Sequence, residues 1–257
     1  MRDGGPDRLG GSAIDAAPQA RPLTGADRAL RLALFPSFFY RRDPASGELR
    51  GAGIALAHAL AEHVRAALSV AEYAAPPDAV RALAAGAADV VLLGIDRARA
   101  AEVDFSEPLF AADFTFMVPQ HSAVRMIADA DRPGVRIALV RHHAMDTALR
   151  GKVPQAARVY ADTPDAAFDL FRTGGADVLA GIRPGLIAYA ARASGLRVLA
   201  DAYGRNVIAF AVRKGAPLLA ELGDFVARAK ADDTIARAIA EAGLGGIDQA
   251  ADRSGPR

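Results

Sequence analysis

The sequence contains no cysteine and no tryptophan. Without cysteine there are no disulfides, no thiolate nucleophile and no Cys-based metal site. Histidine is scarce: the five fall at His58, His63, His121, His142 and His143, and none makes the HxxxH or HExxH spacing of a helical zinc site. No cofactor is expected. An excess of one charge is also lacking, with 31 Lys and Arg against 30 Asp and Glu for a net charge of +1. A nucleic-acid binder gathers basic residues on one face. This chain has no such cluster and no zinc-finger or basic-zipper spacing, so no nucleic-acid partner is expected. No uninterrupted apolar run reaches the roughly 18 residues of a membrane span, so no membrane insertion is expected.

The start of the chain lacks something too. MRDGGPDRLGGSAIDAAPQARPLTGAD, residues 1–27, has no run of about 7 to 15 apolar residues such as an export signal needs. It reads as a flexible lead-in. As written, the sequence is expected in the cytoplasm.

What is there is an ordinary globular composition, 52% apolar and 24% charged over 257 residues. That length builds one large α/β domain or two small lobes, each with its own core. LRLALF (30–35) reads as a buried strand and the segment after it as a loop. Residues 52–68 carry Ile54, Ala57, Leu60, Ala61, Val64 and Leu68 at helical spacing, with His58, Glu62 and Arg65 on the solvated face. A second helix over 76–86 has Asp78 to cap it and Gly86 to end it. ADVVLLG then reads as a strand, so the first hundred residues are expected as β-α-α-β. Strands and helices alternate again from residue 134, with Thr163 capping a helix and Pro184 starting another. VIAFAV (207–212) is one more buried strand, two helices follow, and 246–257 reads as a loose tail. The alternation favours a parallel sheet covered by helices.

Ligands of open parallel sheets bind beyond the C-terminal strand ends. Four exits carry polar or aromatic groups. They are Phe35-Pro36-Ser37-Phe38, Gly94-Ile95-Asp96-Arg97-Ala98-Arg99, Arg141-His142-His143 and Gly181-Ile182-Arg183. An arginine there grips a carboxylate through two parallel charge-assisted hydrogen bonds. The plainer alternative is a solvated loop arginine paired with a nearby acid. Spacing alone leaves Arg99 and Arg183 open between the two. His142 and His143 are proton donors, ligand contacts or plain loop residues. Phe38 and Phe39 are rim or core. Asp104 and Ser106 read as braces of their turn.

Two stretches echo each other. Residues 82–97 (ALAAGAADVVLLGIDR) and 170–183 (LFRTGGADVLAGIR) both end a helix in glycine, open a strand with Asp-Val, and reach an arginine through Gly-Ile.

RAAEVDFSEPLF resembles the R-x-x-x-VDFS-[DE]-P-[YF] signature of the solute-binding proteins of family three, the amino-acid-type binding proteins of bacterial ABC importers. GELRGAGIALAHALAEHV, GVRIALVRHHAMDTALR and AFAVRKGAPLLAELGDFVARAKADDTIARAIAEAG are similar to further family segments in the same order. The resemblance runs from about residue 28 to 245. It implies an α/β, two-lobed clamshell of the type II periplasmic-binding fold with a central cleft and no chemistry of its own. Lobe one would be 28–113 plus 207–245 and lobe two 116–204, with crossings near Ala112–Thr115 and Arg205–Val207. The partners implied are a small carboxylate-bearing ligand and an ABC permease, with the protein a monomer. The location is then periplasmic, with the true start upstream. Arg99 matches the family arginine that holds the ligand's α-carboxylate.

The chain departs from the family in ways that bear on the ligand. Asp96 stands where the family has Ser or Thr. Ile182 and Arg183 stand near its second-lobe acid, Ala55 replaces an early Asp, and Arg141-His142-His143 replaces a loop with Gly and Ser or Thr. Half of the α-amino-acid clamp is missing. The expected ligand is therefore an organic anion or dicarboxylate met by Arg99 and Arg183, contacted also by Ser37, Phe38, Gly94, Asp96, His142 and His143. Two other functions stay open. One is an enzyme on the same fold resembling cyclohexadienyl and arogenate dehydratases, with Asp96, Glu107 or His143 as its acid. The other is a ligand-sensing lobe like the effector domains of LysR-type regulators.

Overall fold

The computed structural model describes residues 29–141 and 144–251. The expected lead-in over 1–27, His142 and His143, and the last six residues of the expected tail lie outside the described residues.

The first strand, β1 (Ala29–Leu34), buries Leu30, Leu32, Ala33 and Leu34. Within the expected loop, β2 (Arg41–Arg42) and β3 (Leu49–Arg50) form a small hairpin. The Asp43 carboxylate turns it by accepting the Ala45 and Ser46 N–H groups at 3.0 and 2.9 Å. Helix α1 (Ala52–His63) ends earlier than the spacing predicts. Arg65 takes a left-handed backbone, φ 54°, which a side chain disfavours and which breaks the helix. The chain re-extends as β4 (Ala67–Glu72), parallel to β1 from Ala29↔Ala67 to Leu34↔Glu72. The expected β-α-α-β is therefore β-α-β-α-β. This strand is solvent-facing at five of its six positions, so it lacks the apolar alternation that reveals half-buried strands.

Helix α2 (Pro76–Ala84) starts where the Asp78 carboxylate accepts the Ala75 N–H at 3.1 Å. Then come β5 (Val90–Gly94), the single turn α3 (Arg99–Glu102), β6 (Val103–Phe105) and the ten-residue β7 (Phe110–Pro119). After a 3₁₀ turn, β8 (Arg136–Val140), α4 (Ala144–Leu149), β9 (Ala157–Ala161), α5 (Pro164–Arg172), β10 (Val178–Ile182), α6 (Arg183–Arg192) and β11 (Leu196–Val198) follow. Thr163 caps α5 as its sequence suggests, its hydroxyl accepting the Ala166 N–H at 3.1 Å. The chain closes with β12 (Gly204–Arg213), α7 (Leu218–Ala231), α8 (Thr234–Glu241) and β13 (Ile247–Gln249).

The strand order is β4-β1-β5-β12-β7-β10-β8-β9. The flanks are parallel, as expected. The centre is not: β12 runs antiparallel to both β5 and β7, and β7 antiparallel to β10. Two large cores result. Leu32, Leu56, Leu60, Phe110, Ala112, Ile208, Phe210 and Phe225 belong to one. Phe114, Phe116, Val118, Ile137, Leu139 and Val178 belong to the other. Alternate residues of β7 point to one face, so the row Phe110, Ala112, Phe114, Phe116, Val118 passes from the first core into the second.

One expected feature is corrected. Residues 247–249 are not loose: β13 pairs with β7, and Ile247 is buried in the first core. Ile247→Ala should cost about 2–3 kcal/mol in chemical denaturation, since it leaves a cavity under β7. A change below about 0.5 kcal/mol, the range of inconsequential surface substitutions, would return this segment to a loose tail.

Candidate functional site

Strand β5 ends at Gly94, which pairs with Ile208 of β12. The Ile95 N–H donates to the Val207 carbonyl at 2.7 Å, fixing the chain as it leaves the sheet. The next turn is closed from within. One Asp96 carboxylate oxygen accepts the Arg99 main-chain N–H at 2.9 Å, and the other faces Arg99 Nε at 3.2 Å. Arg99 Nη1 donates to the Gly94 carbonyl at 3.0 Å. Arg99 Nη2 has no hydrogen bond among the described residues. One edge of the guanidinium is locked and the other is open. With a third of the side chain exposed, a solute can reach that edge. Arg99, Asp96 and Gly94 are thus brought together at one strand end, as the sequence suggested.

Gly94 allows a further approach. A Cβ there would lie 2.8 Å from Asn206 Oδ1 and 3.5 Å from Arg99 Nη1. Sequence reasoning missed Asn206 as a site residue. It precedes the strand expected at 207–212, and only its place on a crossing segment hinted at more.

Strands β1 and β5 are parallel neighbours, so the exit of β1 lies at the same end of the sheet. Ser37 is half-buried, its hydroxyl accepting the Phe39 N–H at 3.4 Å. It lines a small recess with Phe35, Phe39, Tyr40 and Leu92. Phe39 is core and stacks on Phe110, with ring centroids 4.9 Å apart. Phe38 is half-buried beside it, at the rim. At the exit of β8, Arg141 reaches Asp162 at 3.4 Å and sits over the Tyr160 ring. His142 and His143 lie outside the described residues. Among the described residues no three His, Asp or Glu side chains gather to hold a metal ion.

Arg183 sits otherwise than a free contact would. Its side chain is only 16% exposed, and each of its nitrogens donates inside the protein. Nε and Nη2 reach Asp113 at 3.3 and 3.2 Å, Nη1 donates to the Leu199 carbonyl at 2.7 Å, and Nη2 also reaches the Ala200 and Asp201 carbonyls. A ligand carboxylate would have to displace Asp113 and leave main-chain carbonyls unsatisfied. As placed here, Arg183 is tied to Asp113 and to the carbonyls of 199–201.

The VDFS-E-P stretch proves to be a brace. Asp104 accepts from Lys214 Nζ and from the Gly215 N–H, each at 2.8 Å. These bonds hold its carboxyl below the usual range, Lys214 contributing most. Ser106 is buried and donates to the Glu107 carbonyl at 2.8 Å.

Two predictions follow from these contacts. Arg183→Met should lower stability by about 2 kcal/mol, because it leaves Asp113 with only its longer contact to Arg205 and takes the Arg183 donors from three carbonyls. Ligand affinity by calorimetry should change less than about threefold, well under one hydrogen bond to a charged group; a large loss would restore Arg183 as a contact. Asp104→Asn should cost about 1 kcal/mol at neutral pH. A carboxyl with a lowered folded pKa stabilises above its unfolded value, near 3.9, and that contribution fades as pH falls through the folded value. The unfolding curves of variant and parent should converge in acid; a pH-independent gap would contradict the brace.

Comparison with known proteins places these contacts in context. The family model of bacterial extracellular solute-binding proteins, family 3, matches residues 32–242. No curated protein matches the sequence. An ancestral amino acid-binding protein described as a precursor of cyclohexadienyl dehydratase is similar at 26% identity and a TM-score of 0.68, over 83% of this chain and 94% of that one. A putative ABC-transporter binding component from Wolinella succinogenes, complexed with lysine, is similar at 22% identity and a TM-score of 0.74, over 83% and 94%. An amino acid ABC transporter substrate-binding protein from Streptococcus pneumoniae, bound to L-arginine, is similar at 16% and 0.70, over 86% and 97%. The fold is the two-lobed, type II periplasmic-binding architecture.

Proposed function

We propose, for a chain that belongs to the bacterial extracellular solute-binding proteins of family 3, that it captures a small carboxylate-bearing metabolite between its two lobes. The lobes are 28–113 with 207–245, and 116–204. The open edge of the Arg99 guanidinium carries this reading. It is a fixed cation at a strand end, desolvated on one side and reachable on the other. Asp96 offsets part of its charge and orients it, so the anchor suits one carboxylate rather than two. Ser37 and Phe38 at the neighbouring exit form the rim. A ligand gripped at Arg99 favours the closed arrangement only by its extra contacts there. As a monomeric capture protein it would hand its cargo to an ABC permease. Relatives described as components of such transporters support that role.

A dehydratase on this fold is a second reading, favoured by the relative described as a precursor of one. It needs an acid free to protonate a leaving hydroxyl. The acid beside Arg99 is Asp96; one of its oxygens accepts the Arg99 main-chain N–H and the other is ion-paired with Arg99 Nε. Loss of prephenate from solution in the presence of the protein would establish this second reading.

A thermal-shift screen of amino acids and organic acids tests the capture reading. A ligand at a hundred times its dissociation constant stabilises by about 2.7 kcal/mol, which raises the midpoint by several degrees. Arg99→Ala should abolish that shift and leave the ligand-free midpoint within roughly 2 °C, since its ion pair with Asp96 is about a third exposed. Survival of the shift in the variant would remove Arg99 as the anchor.

A further inference from the structure

The crossing strand β12 brings a second polar group to the anchor. We infer that Asn206 is a specificity-determining residue, reading a hydroxyl or amino group on the carbon next to the ligand's carboxylate. The inference rests on Arg99 as the carboxylate anchor.

Successive residues of a strand face opposite ways, and Arg205 and Asn206 divide accordingly. Arg205 turns to the acids behind the crossing, with Nη2 2.8 Å from Asp248 and Nε 3.8 Å from Asp113. Asn206 shares the face of Ile208 and Phe210, which carries the first core. Its neighbour across the pairing is Ala112, at the edge of that core. At the end of β5 stands Gly94, with the Asn206 amide and the Arg99 guanidinium side by side above it. Any side chain at position 94 would fill the spot where the two groups converge.

The amide is also unspent. Asn206 is half-buried, its backbone pairs with Ala112, and its side chain makes no hydrogen bond among the described residues. A half-buried amide without a partner is costly unless water or a ligand satisfies it. On this reading a carboxylate gripped by Arg99 lies near Gly94, and a substituent on its adjacent carbon meets the amide, because the guanidinium and the amide both approach that glycine. The amide offers a donor and an acceptor at one place and carries no charge. It satisfies a hydroxyl or an ammonium, and a hydrogen atom in that position satisfies nothing. The ligand class is therefore carboxylic acids with a polar group on the adjacent carbon, hydroxy acids as well as amino acids.

Calorimetry with the full chain and matched acids tests this. Three skeletons serve: propionate, L-lactate and L-alanine; glutarate, L-2-hydroxyglutarate and L-glutamate; phenylpropionate, L-phenyllactate and L-phenylalanine. On the skeleton that binds, the hydroxy and amino acids should bind at least about tenfold tighter than the unsubstituted acid. Asn206→Ala should erase that preference while changing the unsubstituted acid's affinity less than about threefold. Asn206→Asp keeps the shape and adds a charge. It should favour the amino acid over the hydroxy acid by about tenfold more than the parent does. Discrimination that survives in Asn206→Ala, or no shift between amino and hydroxy acid in Asn206→Asp, overturns the role of Asn206 and leaves the Arg99 anchor standing. No binding of any of the nine acids by the parent overturns the anchor and this inference together.

Discussion

Strands β7 and β12 are each ten residues long and lie antiparallel, from Gly204↔Phe114 to Ile208↔Phe110. On one face of β7, Phe110 and Ala112 belong to the first core while Phe114, Phe116 and Val118 belong to the second. The other face carries Asp113 and Thr115. Asp113 takes Arg183 and Arg205, and the Thr115 hydroxyl donates to the Asp201 carbonyl at 2.6 Å. Apolar contacts cannot run continuously where the two cores part, and polar contacts hold the chain there. The same pairing brings the start of β12, with Asn206, beside the end of β5.

Arg99 and Arg183 show how one residue type takes two roles. Both stand just past a strand that leaves the sheet through Gly-Ile, although the echo in the sequence pairs Arg183 with Arg97 and not with Arg99. Position in the sheet decides between them. Strand β5 ends against β12, where the Arg99 side chain, among the described residues, bonds within its own turn, to Gly94 and Asp96. Strand β10 ends against β7, where Arg183 meets Asp113 and the carbonyls of 199–201. An arginine whose every nitrogen donates inside the protein and whose side chain is mostly buried is part of the scaffold. One with an open edge remains available to a solute.

Much of this architecture could be read from the sequence because buried strands and helices have their own periodicities. The α/β alternation, the strand ends and the Asp96–Arg99 turn were all legible. Strand β4 was hidden because exposed residues leave no apolar pattern, and β13 because three residues are too few to show one. The antiparallel centre was hidden because strand direction depends on connections across a hundred residues. Asn206 carried no signal beyond its place on a crossing segment. It became visible only once the pairing set it over Gly94, as Arg183 became a scaffold residue only once Asp113 was found against it.

The account turns on where the carboxylate sits, and a crystal structure of the complex with a bound carboxylic acid measures that directly. A carboxylate oxygen should lie within hydrogen-bond distance of Arg99 Nη2, with Asp96 still on Nε and Arg183 still on Asp113. A carboxylate held by Arg183 swung free of Asp113, with Arg99 untouched, would contradict it.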